Sequence, residues 1–382
     1  MVNDSTRVLY LGLGWKFTGG IATLARSTLA ALSAWANEPG ARRRVEVMTL
    51  HDEPTPDFAS TGEIAGASVS IRSYSGSRWR MALALAARMR LRRYDLVVCE
   101  HVNLMPMVAA AVPAETRCVC FIYSFEIWYG LSAMRAKGLR RAGRLIAISH
   151  AAAARTRQMK LRMPPINVCH PGLADPMPGM NLQRMPGADP IVLTVGRMMI
   201  SERHKNHRCL LRAMADVVRE VPEARLVIVG DGDDRAEIAR FGTELGLDGH
   251  LLFTGAVSAA ELDRWYRGAQ VFAMPAEREG FGLVYLEAMG RGLPVVAGSS
   301  GASLEIIDDG RSGFLVAPDD HRALGRRIVR LFHDRHLQAA VGSAARARFV
   351  EQFTTQQYAA RLYPILGLET STKEEAQTGT AA

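Results

Sequence analysis

Two glutamates, Glu279 and Glu287, bracket a Gly-Phe-Gly turn at residues 280–282. An apolar run, residues 269–274, precedes them, and the residues from Leu283 onward read as the start of a helix. A strand, a tight glycine turn and a helix start bring several unpaired backbone N–H groups to one point, which favours negative charge and suits a phosphate. A carboxylate beside such a cradle repels phosphate and needs another partner. Sugar hydroxyls are the natural one, because a carboxylate accepts hydrogen bonds from two adjacent hydroxyls. The local expectation is a site for a sugar joined to a phosphate. The plainer alternative, acids favoured by the helix macrodipole, suits Glu287 less well because it lies beyond the first turn.

Two cations stand at another strand end. Arg197 follows Gly196, and Lys205 comes a few residues later, near the start of the next helix. A guanidinium fork and an ammonium point charge together can neutralise a diphosphate leaving group. Thr18-Gly19-Gly20 closes the first strand-to-helix turn, where paired glycines let the backbone approach an anion closely. The run Gly12-Leu13-Gly14-Trp15-Lys16-Phe17 fails the dinucleotide fingerprint, because Phe17 occupies the third glycine position; this argues against a nicotinamide oxidoreductase.

The elements that must carry these residues alternate between strand and helix. Residues 8–12 form an apolar run ending in glycine, followed by an Ala/Leu-rich helical stretch over 21–32. Further strands are expected at 45–50, 96–99, 117–122 and 144–148. Residues 175–190 are rich in proline and glycine and read as a linker. A second series restarts at 191–196 and continues at 224–229, 251–254, 271–274, 294–296 and 314–316. This rhythm predicts an α/β protein of two doubly wound, parallel-sheet, Rossmann-like domains facing a central cleft, with ligands beyond the carboxyl ends of the strands. The expected division is 1–175, a linker at 176–190, 191–350 as the second domain, a helix over 351–368, and a disordered tail at 369–382.

Composition agrees with a globular chain of about two domains: 382 residues, 48% hydrophobic, 22% charged. No apolar run reaches the roughly 18–20 residues needed to span a bilayer. The N-terminus carries an acid and leads straight into a strand, so it does not read as a secretory signal. Five scattered cysteines without a C-x-x-C pair suggest neither a disulfide framework nor a zinc site. The expected compartment is the cytoplasm. A net charge of +9 fits anionic partners: nucleotide phosphates or an acidic membrane surface. Nucleic acid fits less well, since no recognition motif appears.

The run E-G-F-G-L-V-Y-L-E-A-M at 279–289, followed by Gly292-Leu293-Pro294, resembles the E-x₇-E region of retaining glycosyltransferases of family 4, which have the GT-B fold. The likeness continues through Val195-Gly196-Arg197, residues 202–207, Val229-Gly230-Asp231-Gly232, Phe253-Thr254-Gly255, and Asp309-Gly310 to Val316. It implies that Arg197 and Lys205 hold the donor diphosphate and that Gly19 and Gly20 approach it from the other domain. It further implies that Glu279 contacts the donor sugar, Glu287 the ribose, and the N–H groups of Gly280, Phe281, Gly282 and Leu283 the sugar and phosphates. The final helix would pack back on the first domain. In that domain Tyr123-Ser124-Phe125-Glu126 resembles the family's H-G-x-E stretch; Glu126 matches, while tyrosine stands where the family commonly has histidine. Tyr123, with a reference pKa near 10, is a poor base at neutral pH. His101, just past the strand at 96–99, is a further polar residue at a strand end and reads first as a satisfied loop histidine.

The reaction so implied is front-face transfer of a hexose from GDP-mannose or a UDP-hexose to a hydroxyl of a lipid-linked saccharide, in bacterial surface polysaccharide or glycolipid synthesis. The nucleotide sugar is a co-substrate, with no cofactor and no essential metal expected. Rival readings are a sugar-nucleotide epimerase of the same fold and a catalytically inactive nucleotide-sugar-binding protein. Residues 77–93 contain six arginines and no acid, and 135–144 add a second basic stretch. Helical spacing groups Arg80, Arg88 and Arg92, which suggests a surface facing an anionic membrane; a packed helix with solvated arginines is the alternative.

Overall fold

The computed structural model describes residues 6–16, 19–53, 61–64, 67–123, 125–128, 130–159, 161–177 and 190–369. Most of the expected linker and tail, and Phe17, Thr18 and Ser124, lie outside them. The chain forms two compact units, one running to Ala174 and rejoined from Thr355 onward, the other spanning Asp175–Thr354. Asp175 belongs to the second because its carboxylate pairs with Arg346 at 2.7 Å.

The first unit holds β1 (Thr6–Gly12), α1 (Gly20–Ala36), β2 (Arg43–Thr49), β3 (Thr61–Ile64), β4 (Ala67–Ser73), α2 (Arg78–Leu91), β5 (Leu96–Cys99) and α3 (Met105–Ala111). It continues with β6 (Arg117–Ile122), α4 (Phe125–Trp128), α5 (Ala133–Leu139), β7 (Arg144–Ala147), α6 (His150–Gln158) and β8 (Ile166–Val168). The sheet order is β3-β4-β2-β1-β5-β6-β7-β8, parallel throughout except for the β3–β4 hairpin. Val8, Leu9, Tyr10 and Leu11 on β1 are all buried, as expected of a central parallel strand covered on both faces.

The second unit holds β9 (Ile191–Val195), α7 (His207–Glu220), β10 (Arg225–Val229), α8 (Arg235–Glu244), β11 (Leu251–Gly255), α9 (Ala259–Gly268) and β12 (Val271–Met274). Then come α10 (Leu283–Met289), β13 (Val295–Gly298), α11 (Ser303–Ile306), β14 (Phe314–Val316), α12 (His321–His333) and α13 (Arg335–Gln352). Its six parallel strands run β11-β10-β9-β12-β13-β14. Helix α14 (Thr355–Leu366) returns to the first unit and packs on α1: the Tyr358 and Thr28 hydroxyls are 2.7 Å apart, and the Tyr363 hydroxyl donates to the Ala31 carbonyl.

Strand order decides where each sheet opens. From β1 the chain steps one way to β2, then crosses back to β5 on the other side of β1. From β9 it steps to β10 and β11, then crosses back to β12. The loops after β1 and β5, and those after β9 and β12, therefore leave toward opposite faces and part, forming the crevices where ligands bind in such sheets.

Two expectations change. The polar hairpin β3–β4 and the short edge strand β8 were not among the predicted strands, because neither has a long apolar run. The arginines grouped by spacing do not form one free face. Arg88 pairs with the buried Glu46 of β2, and Arg92 lies 2.8 Å from the same carboxylate. Burial alone would raise the Glu46 carboxyl, but the Tyr94 hydroxyl and Arg88 hold it below the usual range. These two arginines fasten α2 to the sheet.

Candidate active site

The switch point of the second unit gathers most of the residues singled out above. Arg197 lies just past β9, and Lys205 ends a 3-10 turn, Ile200–Lys205. That turn places Glu202 between them. Its carboxylate pairs with the Arg197 guanidinium and lies 2.6 Å from Lys205 Nζ. A glycine sets this geometry. A Cβ on Gly230 would stand 2.1 Å from the Gly196 carbonyl, so only glycine lets the β10 end approach the Gly-Arg step. The Glu277 N–H donates to the His204 carbonyl at 2.8 Å, which joins the Lys205 loop to the loop after β12.

Glu279 is carried on that second loop, half-buried. Loss of solvent pushes its carboxyl above the usual range; Lys205 and the N–H groups of Phe281 and Gly280 oppose this, and Glu202 adds to it. The Gly280 N–H donates to Glu279 Oε1 at 3.1 Å. The amides assigned to an anion are thus turned in part toward the loop's own carboxylate. Gly282 caps α10 with φ 93°, and a Cβ there would meet the Tyr285 ring at 2.4 Å. The loop after β13 braces the site, since Ser300 Oγ donates to the Ala276 and Glu277 carbonyls. Leu283 opens α10. Glu287 lies one turn further on and accepts from the Tyr266 hydroxyl at 2.7 Å. Arg291 stacks on the Tyr266 ring and donates to the Glu287 carbonyl.

In the first unit, Gly19 and Gly20 are exposed at the start of α1, with Gly19 at φ 126°. The preceding loop is held by two acids that the sequence does not mark: Glu100 Oε2 accepts from the Leu13 N–H at 2.7 Å, and Asp52 from the Trp15 and Lys16 N–H groups. Burial pushes Glu100 up to about 8. Past β6, Glu126 accepts from the Tyr123 N–H. Burial raises the Tyr123 phenol well above its ordinary value, so it stays protonated at neutral pH. The ring of His101 stacks against Tyr123 with centroids 5.9 Å apart, and its Nδ1 accepts from the Asn103 N–H. Burial pulls His101 down to about 4, so the imidazole is neutral with its proton on Nε2.

This geometry supplies two cations, a carboxylate tuned toward its neutral form and glycine-rich backbone on adjoining loops of one sheet. The sequence matches two family descriptions in tandem: "Glycosyltransferase Family 4" over residues 18–174 and "Glycosyl transferases group 1" over 182–348. The chain belongs to glycosyltransferase family 4. Its relatives include the GDP-mannose-dependent alpha-(1-6)-phosphatidylinositol monomannoside mannosyltransferase of Mycolicibacterium smegmatis, 35% identical over 187 residues, 47% of this chain and 48% of that one. The sulfoquinovosyl transferase of Arabidopsis thaliana is 36% identical over 160 residues, 41% of this chain and 29% of that one. These matches span about half, or less, of the length of the relatives. In fold, the chain is similar to Anabaena HepE crystallised in complex with UDP, with a TM-score of 0.72 at 19% identity over 95% of this chain and all of that one. The fold is GT-B, two Rossmann-like parallel-sheet domains.

Proposed function

We propose that the chain is a retaining hexosyltransferase. It takes a hexose from GDP-mannose or a UDP-hexose and places it on a hydroxyl of a lipid-linked saccharide, in bacterial surface polysaccharide or glycolipid synthesis. The work is done in the cytoplasm, at the membrane face. The observation that carries this reading is the convergence of Arg197, Lys205 and Glu279 on the two loops of one switch point. The two cations take the diphosphate as it leaves, and Glu279 holds the sugar hydroxyls as positive charge develops at the anomeric carbon. The acceptor oxygen bonds to that carbon on the face the diphosphate vacates, and the acceptor proton passes to the departing phosphate oxygen. With Arg197 and Lys205 opposite the diphosphate, no essential divalent metal is expected. The lipid acceptor is favoured by the phosphatidylinositol mannoside named for the mycobacterial relative.

The test is to incubate the protein with each donor and a membrane lipid extract, and to read the anomeric configuration of the product by NMR. An α-linked product from an α-linked donor, formed in the presence of EDTA, is expected. An inverted product, or one that needs added magnesium, contradicts the reading.

A further inference from the structure

Helix α2 turns Met81 and Leu85 into the core and leaves Trp79, Leu83 and Leu91 in water, 68, 63 and 81% exposed. At 3.6 residues per turn, Trp79, Leu83, Ala87 and Leu91 fall within a sector roughly 120° wide, and Arg80 and Arg90 fall inside it. Arg93, just past the helix end, flanks the sector and is also exposed. Arg88 and Arg92 point the other way, to Glu46, and are excluded from this face. The steps from β4 to β5, β5 to β6 and β6 to β7 all run in one direction across the sheet, so right-handed crossovers put α2, α3 and α5 on the same side. Helix α3 packs against both of the others. Helix α5 adds Met134, 69% exposed, and an exposed Lys137, with exposed Arg140 just beyond its end. None of the three helices contains an acid. Of the described exposed acids, Asp95 and Glu115 sit in the loops leading into the interior strands β5 and β6; Asp95 follows Arg93 by two residues, and its carboxylate accepts from the Arg7 N–H of β1 at 2.7 Å.

Single exposed apolar side chains are ordinary, but four on one acid-free basic face are not. We propose that this face of the first unit docks on an anionic lipid bilayer. Trp79, Leu83 and Leu91 enter the boundary between headgroups and acyl chains, and Arg80, Arg90 and Arg93 meet lipid phosphates. The charge complementarity selects the partner: apolar side chains interleaved with arginine suit an interface that is apolar below and negatively charged at its surface. The lipid-linked acceptor gives the docking its purpose, and to that extent it rests on the proposed function.

Sedimentation of the full chain with phosphatidylcholine vesicles, with and without phosphatidylglycerol, tests it. The expected result is binding only to the phosphatidylglycerol vesicles, lost at ~0.5 M salt. Changing Arg80, Arg90 and Arg93 to Gln weakens it by on the order of 10²-fold, since each arginine near an anionic surface contributes about fivefold. The triple variant Trp79→Ser, Leu83→Ser, Leu91→Ser weakens it at low salt, whereas Arg92→Gln leaves it within about twofold. Calorimetry with GDP and UDP, without vesicles, reads the nucleotide site separately and confirms that each variant is folded. Wild-type protein that ignores phosphatidylglycerol vesicles at low salt, or binds neutral vesicles equally well, overturns the docking; if it still binds the nucleotide, the proposed function survives. A serine variant that binds vesicles like the wild type also overturns it, and so does self-association of the wild type that the serine variant abolishes.

Discussion

The ammonium of Lys205 lies 2.6 Å from the Glu202 carboxylate, which also holds Arg197. One acid thus occupies both cations assigned to the leaving group. Arg197 is 71% exposed and can swing to a diphosphate, while Lys205 is confined. Glu202 keeps the pair together and competes with phosphate for it. Glu202→Gln is therefore expected to raise the affinity for GDP or UDP by up to about fivefold, the scale of a partly exposed ion pair. Calorimetry checks the sign; weaker binding would make Glu202 a positioning residue instead.

The cations themselves should discriminate phosphate from nucleoside. Lys205→Ala and Arg197→Ala are each expected to cost about 1.5–3 kcal/mol in diphosphate binding, the value of a charge-assisted hydrogen bond, and to leave guanosine or uridine binding nearly unchanged. Equal losses for diphosphate and nucleoside would place both residues away from phosphate.

Gly282 links backbone conformation to the site. At φ 93°, with the Tyr285 ring 2.4 Å from any added Cβ, alanine strains the turn that carries Glu279. Gly282→Ala is expected to lower stability by about 1–3 kcal/mol and to reduce turnover with it. An unchanged denaturation midpoint would count against a required left-handed turn.

Glu100 makes stability depend on pH. Its carboxyl is pushed up to about 8 by burial, far above its unfolded value, so the folded protein holds a proton that the unfolded chain has lost. This contribution is complete below about pH 4, declines as pH rises, and is gone above about 8, falling by up to about 1.4 kcal/mol per pH unit within that window. Glu100→Gln keeps an acceptor for the Leu13 N–H and should flatten the decline. A wild-type midpoint that stays level from pH 5 to 8 would contradict this.

The fold was legible because every central strand is a short apolar run between polar punctuation, as in residues 8–12 and 271–274. Arg197, Lys205 and Glu279 were legible because glycines and proline mark the strand ends that carry them. Glu202, Glu100 and Asp52 were not. Glu100 and Asp52 bond to residues 87 and 37 positions away, which leaves no local pattern; Glu202 reaches Arg197 and Lys205 only five and three positions away, and its role comes from the 3-10 turn that brings both to one carboxylate. The arginines of α2 show the same limit: spacing grouped Arg80 with Arg88 and Arg92, but only the position of Glu46 on β2 separates the two arginines that pair with it from the outward face.

In the proposed function, Glu279 supports transfer from a nucleotide sugar to an acceptor. The most direct measurement is the rate of GDP or UDP release with and without a lipid-linked saccharide, for the wild type and for Glu279→Ala. The expected release requires the acceptor and falls by on the order of 10²-fold or more in the variant, with nucleoside-diphosphate binding retained. Full activity in Glu279→Ala, or wild-type turnover indifferent to the acceptor, would contradict it.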